Sequence, residues 1–171
     1  MDLRALIRDV PDFPSPGILF RDITPLLGNP EAFALAVSDL EAHAKQCDPG
    51  VIVAIDSRGF LFGGALADRM ALPLAPVRKA GKLPAARMSV EYSLEYGQSR
   101  LDIHADALAS GTRAYIVDDL LATGGTAAAA AQLVTMLGGE VAGFGFVVEL
   151  AGLAGRQKLA GHEAHATIYY D

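Results

Sequence analysis

Two neighbouring carboxylates, Asp118 and Asp119, close the apolar run "RAYIV" and lead through "LLA" into Thr123-Gly124-Gly125-Thr126. A core strand has no use for paired negative charge, because a buried unpaired carboxylate either shifts its pKa or finds a partner. The pair is therefore expected at an open strand end, facing a ligand. In "ATGGT" the glycines permit close backbone approach and the threonines add hydroxyls. A helix starting behind them would supply free N–H groups and the positive end of its dipole, which together make a cradle for phosphate. Carboxylates only accept hydrogen bonds, so Asp118 and Asp119 suit the vicinal hydroxyls of a ribose, or a Mg2+ that accompanies phosphates. Phosphate and sugar together indicate a sugar phosphate. The loop is not a Walker A loop, whose lysine and spacing are absent, nor a G-x-G-x-x-G turn. The plainer alternative is a tight strand-to-helix turn with a threonine cap, one aspartate capping a helix and the other in an ion pair.

Three further stretches hold residues suited to the same chemistry. In "DSRG" Gly59 lets the backbone turn closely around an anion and Arg58 can add charge-assisted hydrogen bonds. Arg78, Lys79 and Lys82 concentrate positive charge in a chain whose formal net charge is -6. Phe20 places an aromatic ring in the proline-stiffened "PSPGILFRD", where it could wall a flat apolar slot. Each has a plain alternative: a surface ion pair for Arg58, a solvated loop for the cations, a core position for Phe20. His43, His104, His162 and His165 are read as structural or surface residues. Cys47, the single cysteine, is read as inert and without a metal-ligand partner.

The elements that must position these residues follow from periodicity and punctuation. Leu3, Leu6 and Ile7 have helical spacing, which predicts a short amphipathic helix over about 2–9, stopped by the prolines that follow. "GILFRDITPLLGNP" reads as extended, and Pro30 behind Asn29 reads as the capped start of a helix through Cys47. Strands are predicted at "VIVAID", within "PLAPVRKAG", at "RAYIVDD", at "EVAGFGFVVEL" and at "HATIYYD", separated by helices at "SRGFLFGGALADRM", "TAAAAAQLVTMLG" and, briefly, "GRQKLA". Residues 80–100 mix Gly, Pro, Ser, charges and tyrosines, and read as a mobile excursion with strands of its own. Strands alternating with helices predict an α/β fold with right-handed crossovers and a parallel sheet. Ligands bind beyond the carboxyl ends of such strands, where "DSRG", "RKAGK" and "DDLLATGGT" all fall.

The 171 residues fit one domain, and 51% hydrophobic content suits a sheet covered on both faces. The acidic balance argues against nucleic acid and anionic membrane surfaces as partners. No signal peptide and no membrane span is predicted, and the lone cysteine suits a reducing, cytoplasmic compartment.

In order along the chain, "PDFPSPGILFRDITPLL", "IDSRGFLFG", "VRKAGKLP", "EYSLEYG" and "YIVDDLLATGGT" resemble the type I phosphoribosyltransferases, which use phosphoribosyl pyrophosphate (PRPP), and among them those acting on adenine. The likeness runs from about residue 9 to residue 160, and the last ten residues are assigned no role. It implies one domain over 1–171: a central parallel sheet flanked by helices, a small N-terminal hood at about 9–30 and a flexible catalytic loop at about 80–100. It also implies that adenine N9 displaces pyrophosphate from C1 of the ribose through an oxocarbenium-like transition state, giving AMP.

The same resemblance assigns residues. Asp118, Asp119, Ala122, Thr123, Gly124, Gly125 and Thr126 bind PRPP, while Ser57 and Arg58, with Arg78, Lys79 and Lys82, receive pyrophosphate. A cis Ser57–Arg58 peptide is expected. Phe20 stacks on one face of adenine, Leu120 covers the other, the Leu19 backbone reads the base edge and Arg58 lies near the purine. Glu95 accepts or orients the N9 proton, with Arg58 and Tyr96 completing the catalytic set and Glu91 a weaker candidate base. Mg2+ is the implied cofactor, held mainly through PRPP, with Asp118 and Asp119 the protein groups available to it. A homodimer is implied, with part of the 78–82 segment reaching across its interface. Two other readings stay open: a transferase for hypoxanthine or xanthine, and a PRPP-sensing regulator without catalysis. The regulator would need a DNA-binding segment that the acidic chain does not offer.

Overall fold

The computed structural model describes residues 1–93 and 97–171, so that Leu94, Glu95 and Tyr96 lie outside the described residues. The chain divides into two compact units, Met1–Asp39 and Leu40–Asp171.

In the first unit the expected N-terminal helix is a single 3-10 turn, Arg4–Leu6. Beyond it the chain extends as β1 (Arg8–Pro11), antiparallel to β2 (Leu19–Asp22). Cross-strand charge outweighs the short helical pattern: Arg8 faces Asp22 and Asp9 faces Arg21 in the register, and both pairs form ion pairs. Just ahead of α1 (Thr24–Leu27), Asp22 accepts from the Thr24 N–H at 2.9 Å and its hydroxyl at 2.7 Å, a local turn that leads into the helix. The next helix, α2 (Pro30–Cys47), starts as its sequence predicts: Asn29 Oδ1 accepts from the Glu31 and Ala32 N–H groups at 3.1 and 3.0 Å.

The second unit is built on a seven-stranded sheet. Its elements are β3 (Val51–Ile55), α3 (Gly59–Met70), β4 (Leu74–Lys79), β5 (Arg87–Ser93), β6 (Gln98–His104), β7 (Arg113–Leu121), α4 (Gly125–Met136), β8 (Glu140–Leu150) and β9 (Ala164–Tyr170). The spatial order is β5-β6-β4-β3-β7-β8-β9. β4, β3, β7, β8 and β9 run parallel, whereas β6 is antiparallel to β4 and β5 to β6. The expected parallel sheet is thus extended at one edge by an antiparallel pair, the strands expected within residues 80–100. The described residues among 80–100 hold no helical stretch for a crossover, so these strands pair as a hairpin, which needs none. The β8–β9 connection is made of 3-10 turns, Ala151–Leu153 and Gly155–Leu159. The divergent C-terminal residues supply β9, an edge of the sheet.

All five residues of β3 are buried, as a strand covered on both faces requires. Val51, Val53 and Ile55 belong to a core with Ala127, Ala130 and Leu133 of α4. On the other face α3 packs so closely that a methyl group on Gly63 would lie 2.5 Å from Ala54 Cβ. From β3 the chain passes through α3 to β4 on one side, and from β7 through α4 to β8 on the other. The gap between those crossovers is where α/β sheets hold ligands.

His43 and Cys47, on α2, are less isolated than the sequence suggested. The His43 ring nitrogen Nδ1 is hydrogen-bonded to the buried Tyr115 hydroxyl at 2.7 Å, Cys47 Sγ lies 3.9 Å from His43 Nε2, and the His43 ring stacks on His165 at 5.1 Å. One helical turn separates His43 from Cys47, a spacing the cysteine count overlooked. Burial pushes the Cys47 thiol up, which keeps it unreactive.

Adjacent glycines of α3 give a test of this packing. Gly63→Ala should lower the urea midpoint, at a cost of about 1–3 kcal/mol for overpacking. Gly64, with nothing within 4 Å of its added methyl, should gain about 0.5–1 kcal/mol as alanine. Equal shifts in the two variants would remove the close α3–β3 contact.

Candidate active site

β3 and β7 are hydrogen-bonded parallel neighbours, so the segments leaving their carboxyl ends share one space. After β3 the Asp56 N–H still donates to the Val77 carbonyl at 2.8 Å, and the chain then turns. The cis peptide is Asp56–Ser57, one residue earlier than expected, directly after that last sheet hydrogen bond. Gly59 starts α3 against β7: a methyl group there would lie 2.9 Å from both Asp118 Oδ1 and the Val117 carbonyl. The close approach allowed by this glycine is therefore to Asp118.

The aspartate pair lies within β7 and not beyond its end, because pairing with β8 continues through Leu120 and Leu121, and Leu121 is a core residue. The two carboxylates are unlike. Asp119 is 5% exposed and accepts from Arg58 Nε at 2.5 Å, the charged partner a buried carboxylate needs. Asp118 accepts from the Asp119 N–H at 2.8 Å. Burial, then the negative charge of Asp119, raise the Asp118 pKa well above its ordinary value of 3.8.

Beyond β7 the chain turns at Gly124, whose φ of +77° is the left-handed conformation that favours glycine, and enters α4. The first amides of α4 lack partners within the helix. They open on a cleft of about 390 Å3 lined by Ser57 and Arg58, by Lys79, and by the whole run from Asp118 to Ala127. Thr126 Oγ1 donates to the Tyr92 hydroxyl at 3.3 Å, tying the loop to β5.

Of the residues singled out in the sequence, Ser57, Arg58, Lys79, Asp118, Asp119, Leu120, Ala122, Thr123, Gly124, Gly125 and Thr126 come together here. Arg78 and Lys82 do not line the cleft. Arg78 Nε donates to Asp56 Oδ2 at 3.2 Å, Lys82 Nζ lies 3.6 Å from the same oxygen, and the Arg78 guanidinium sits 5.8 Å above the Phe60 ring centroid. Leu19 and Phe20 belong to β2 in the first unit, where Phe20 meets Phe13 edge to face at 5.1 Å. Glu95 and Tyr96 lie outside the described residues. Glu91 lines a separate shallow cavity beside Lys79 and Arg100.

Asp56, Tyr92, Ser99 and Leu101 line the cleft without having been selected from sequence. Asp56 stood next to "SRG" and was read only as a strand end. Tyr92 and Ser99 are partners in the β5–β6 register, beside the Val90–Leu101 pair, a juxtaposition visible only once the hairpin is known. Among the described residues no group of three or more His, Cys, Asp or Glu is placed to hold a metal unaided. No helix of the described residues is long and apolar enough to cross a membrane.

A family model for the phosphoribosyl transferase domain matches residues 30–169. The chain is 54% identical to adenine phosphoribosyltransferase of Acaryochloris marina over 170 residues, covering 99% of this chain and 100% of that protein. The chain belongs to the adenine phosphoribosyltransferase family. It is also 52% identical over 171 residues to the adenine phosphoribosyltransferase of a Synechococcus strain, with both chains fully covered. The crystal structure of adenine phosphoribosyltransferase from Thermoanaerobacter pseudethanolicus superposes with a TM-score of 0.96 at 47% identity, covering 99% of this chain and 98% of that one. The Saccharomyces cerevisiae enzyme, complexed with an imino-altritol bisphosphate and adenine, gives 0.92 at 38% identity, with 97% and 96% covered. The adenine phosphoribosyltransferase fold thus includes the mixed sheet and the C-terminal strand of this chain.

The raised Asp118 pKa makes stability depend on pH. The folded chain keeps this proton at pH values where the unfolded chain has lost it, so stability falls as pH rises from the ordinary aspartate range toward the folded value. Asp118→Asn removes that ionisation. Urea titrations from about pH 4 to pH 7 should give a flatter dependence for the variant, with stability at neutral pH no lower than the parent's. Parallel curves for the two proteins would show that Asp118 ionises as freely in the fold as outside it.

Proposed function

We propose that this cleft transfers the 5-phosphoribosyl group of PRPP to N9 of adenine, releasing pyrophosphate. Adenine salvage to AMP is the activity of the family to which the chain belongs. The observation that carries the reading to these residues is the convergence, in one cleft, of the Asp118–Asp119 pair, the α4 N-terminus and the Ser57–Arg58 turn. In this reading the loop from Ala122 to Thr126 holds the 5-phosphate with backbone amides and hydroxyls. The aspartates accept from the ribose hydroxyls, and those bonds offset the burial that keeps Asp118 from ionising freely. Ser57 and Arg58 amides, with Lys79, meet the pyrophosphate. Arg78 and Lys82 join them by exchanging Asp56 for the anion.

The donors fit a Mg2+ that arrives with its substrate better than one caged by protein: beyond the phosphate oxygens, the cleft offers only Asp56, Asp118 and Asp119 as carboxylates among the described residues. When bound, Mg2+ supplies positive charge to the leaving pyrophosphate. Leu120 covers one face of adenine, Phe20 the other, and the Leu19 backbone reads its edge. Glu95 orients or accepts the N9 proton beside Tyr96 and Arg58, and closure over residues 80–97 excludes water from the cationic centre. The chain acts in the cytoplasm as a homodimer.

Initial-rate assays with PRPP and Mg2+, supplying adenine, hypoxanthine, guanine and xanthine separately, should show AMP formation with adenine strongly preferred. Preference for another base would keep the phosphoribosyl site and discard the base contacts. PRPP binding without turnover on any base would identify a sensor instead. Glu95→Ala should lower kcat about a hundredfold or more while leaving the Kd for PRPP within about twofold of the parent. Unchanged turnover would remove Glu95 from the mechanism.

A further inference from the structure

The back of the phosphate loop is formed by a segment with no role in the reading above, the connection between β8 and β9. A methyl group on Gly124 would lie 2.4 Å from the Gly155 carbonyl oxygen, and one on Gly155 would lie 2.3 Å from the Ala122 carbonyl oxygen. Backbone rests on backbone at this point, and only glycines permit it. The connection is itself firmly held. Arg156 Nε donates to both oxygens of the buried Glu149 at 2.9 and 2.8 Å, and its Nη1 donates to the Ala164 carbonyl at 2.5 Å. Its guanidinium also lies 5.7 Å above the Tyr169 ring centroid. Leu159 is buried in the same core as Ala127 and Ala130 of α4.

Between these two anchors stands Lys158. Its Nζ lies 3.9 Å from the position of a methyl group on Gly125, the first residue of α4. Lys158 is in no ion pair among the described residues. A helix N-terminus offers about half a positive charge, whereas a phosphate monoester brings up to two negative ones at neutral pH. Of the cations lining the cleft, Arg58 is committed to Asp119, and Lys79 comes from β4, across β3 from the loop.

We propose that Lys158 is a phosphate-binding residue of this site, holding the 5-phosphate of PRPP and of AMP from the α4 side, with the Gly155–Leu159 segment as its fixed mount. The proposal rests on the reading of the cleft as a PRPP site. It separates ligands by which phosphate they carry. Ribose 5-phosphate, AMP and PRPP have the 5-phosphate, whereas pyrophosphate and adenine do not.

The test is calorimetric titration of the full chain and of Lys158→Gln and Lys158→Arg with ribose 5-phosphate, AMP and pyrophosphate, alongside KM values for PRPP and adenine. Lys158→Gln should weaken ribose 5-phosphate and AMP about tenfold or more and raise the PRPP KM correspondingly. Pyrophosphate affinity and adenine KM should stay within about twofold, and Lys158→Arg should recover most of the loss. Unchanged AMP affinity in Lys158→Gln would overturn the role, as would a uniform weakening of every ligand, which a merely structural lysine would cause. Failure of the parent to form AMP would sink the transferase reading separately, because ribose 5-phosphate binding is read without turnover.

Discussion

β3 and β7 leave the sheet side by side and in the same direction, and the cleft exists because of that pairing. Their crossovers depart to opposite sides, α3 toward β4 and α4 toward β8, which leaves the space above the two strand ends between them. Into that space each strand delivers a different chemistry. β3 ends in a turn with an arginine; β7 carries the two carboxylates in its last residues and ends in a glycine loop that starts a helix. Gly59 seated against Asp118 fixes how closely the two can stand. A side chain at Gly59 would push the arginine turn off the aspartate pair and undo the Arg58–Asp119 contact that joins them.

The site differs from the core below it in charge and polarity. The sheet interior is apolar and closely packed, with Val53, Ile55, Val117 and Phe146 fully buried. Above it stand two adjacent carboxylates, Asp119 buried against Arg58 and Asp118 half-buried beside it. Neighbouring like charges of this kind cluster at functional sites. Elsewhere the buried acids are satisfied within the protein. Asp102 accepts from Ser89 Oγ and the Gly81 N–H and lies beside Arg87 and Arg100, while Glu149 holds Arg156 through both oxygens.

Much of this architecture was legible in the sequence, and the misses share a cause. β3, α2 with its Asn29 cap, α4 and β8 were readable because each carries its own signal: an apolar run, a capping residue, or helix-forming alanines. The "DSRG" turn was placed at a strand end because parallel strands leave few alternatives, whereas the aspartate pair lies within its strand. What escaped depends on partners distant in the chain. β1 exists through its pairing with β2, and the antiparallel hairpin through β4. β7 runs past its aspartates because β8 continues beside it. Arg78 and Lys82 looked like unengaged cations, since nothing local discloses that Asp56 lies between them. Lys158 likewise carries no signal of its own. Its position follows from the contact of Gly155 with the phosphate loop.

The Asp56 cluster bears on turnover as well as binding. Its side chain is 4% exposed and engages both Arg78 and Lys82. Cations already held by a protein carboxylate need not be immobilised from a freely rotating state when an anion binds. In the proposed reading, capture of pyrophosphate becomes an exchange of one anionic partner for another. The same exchange would run backwards. As pyrophosphate departs, Asp56 would take the cations again, and a strongly charged product would not be held so tightly that its release throttles the cycle.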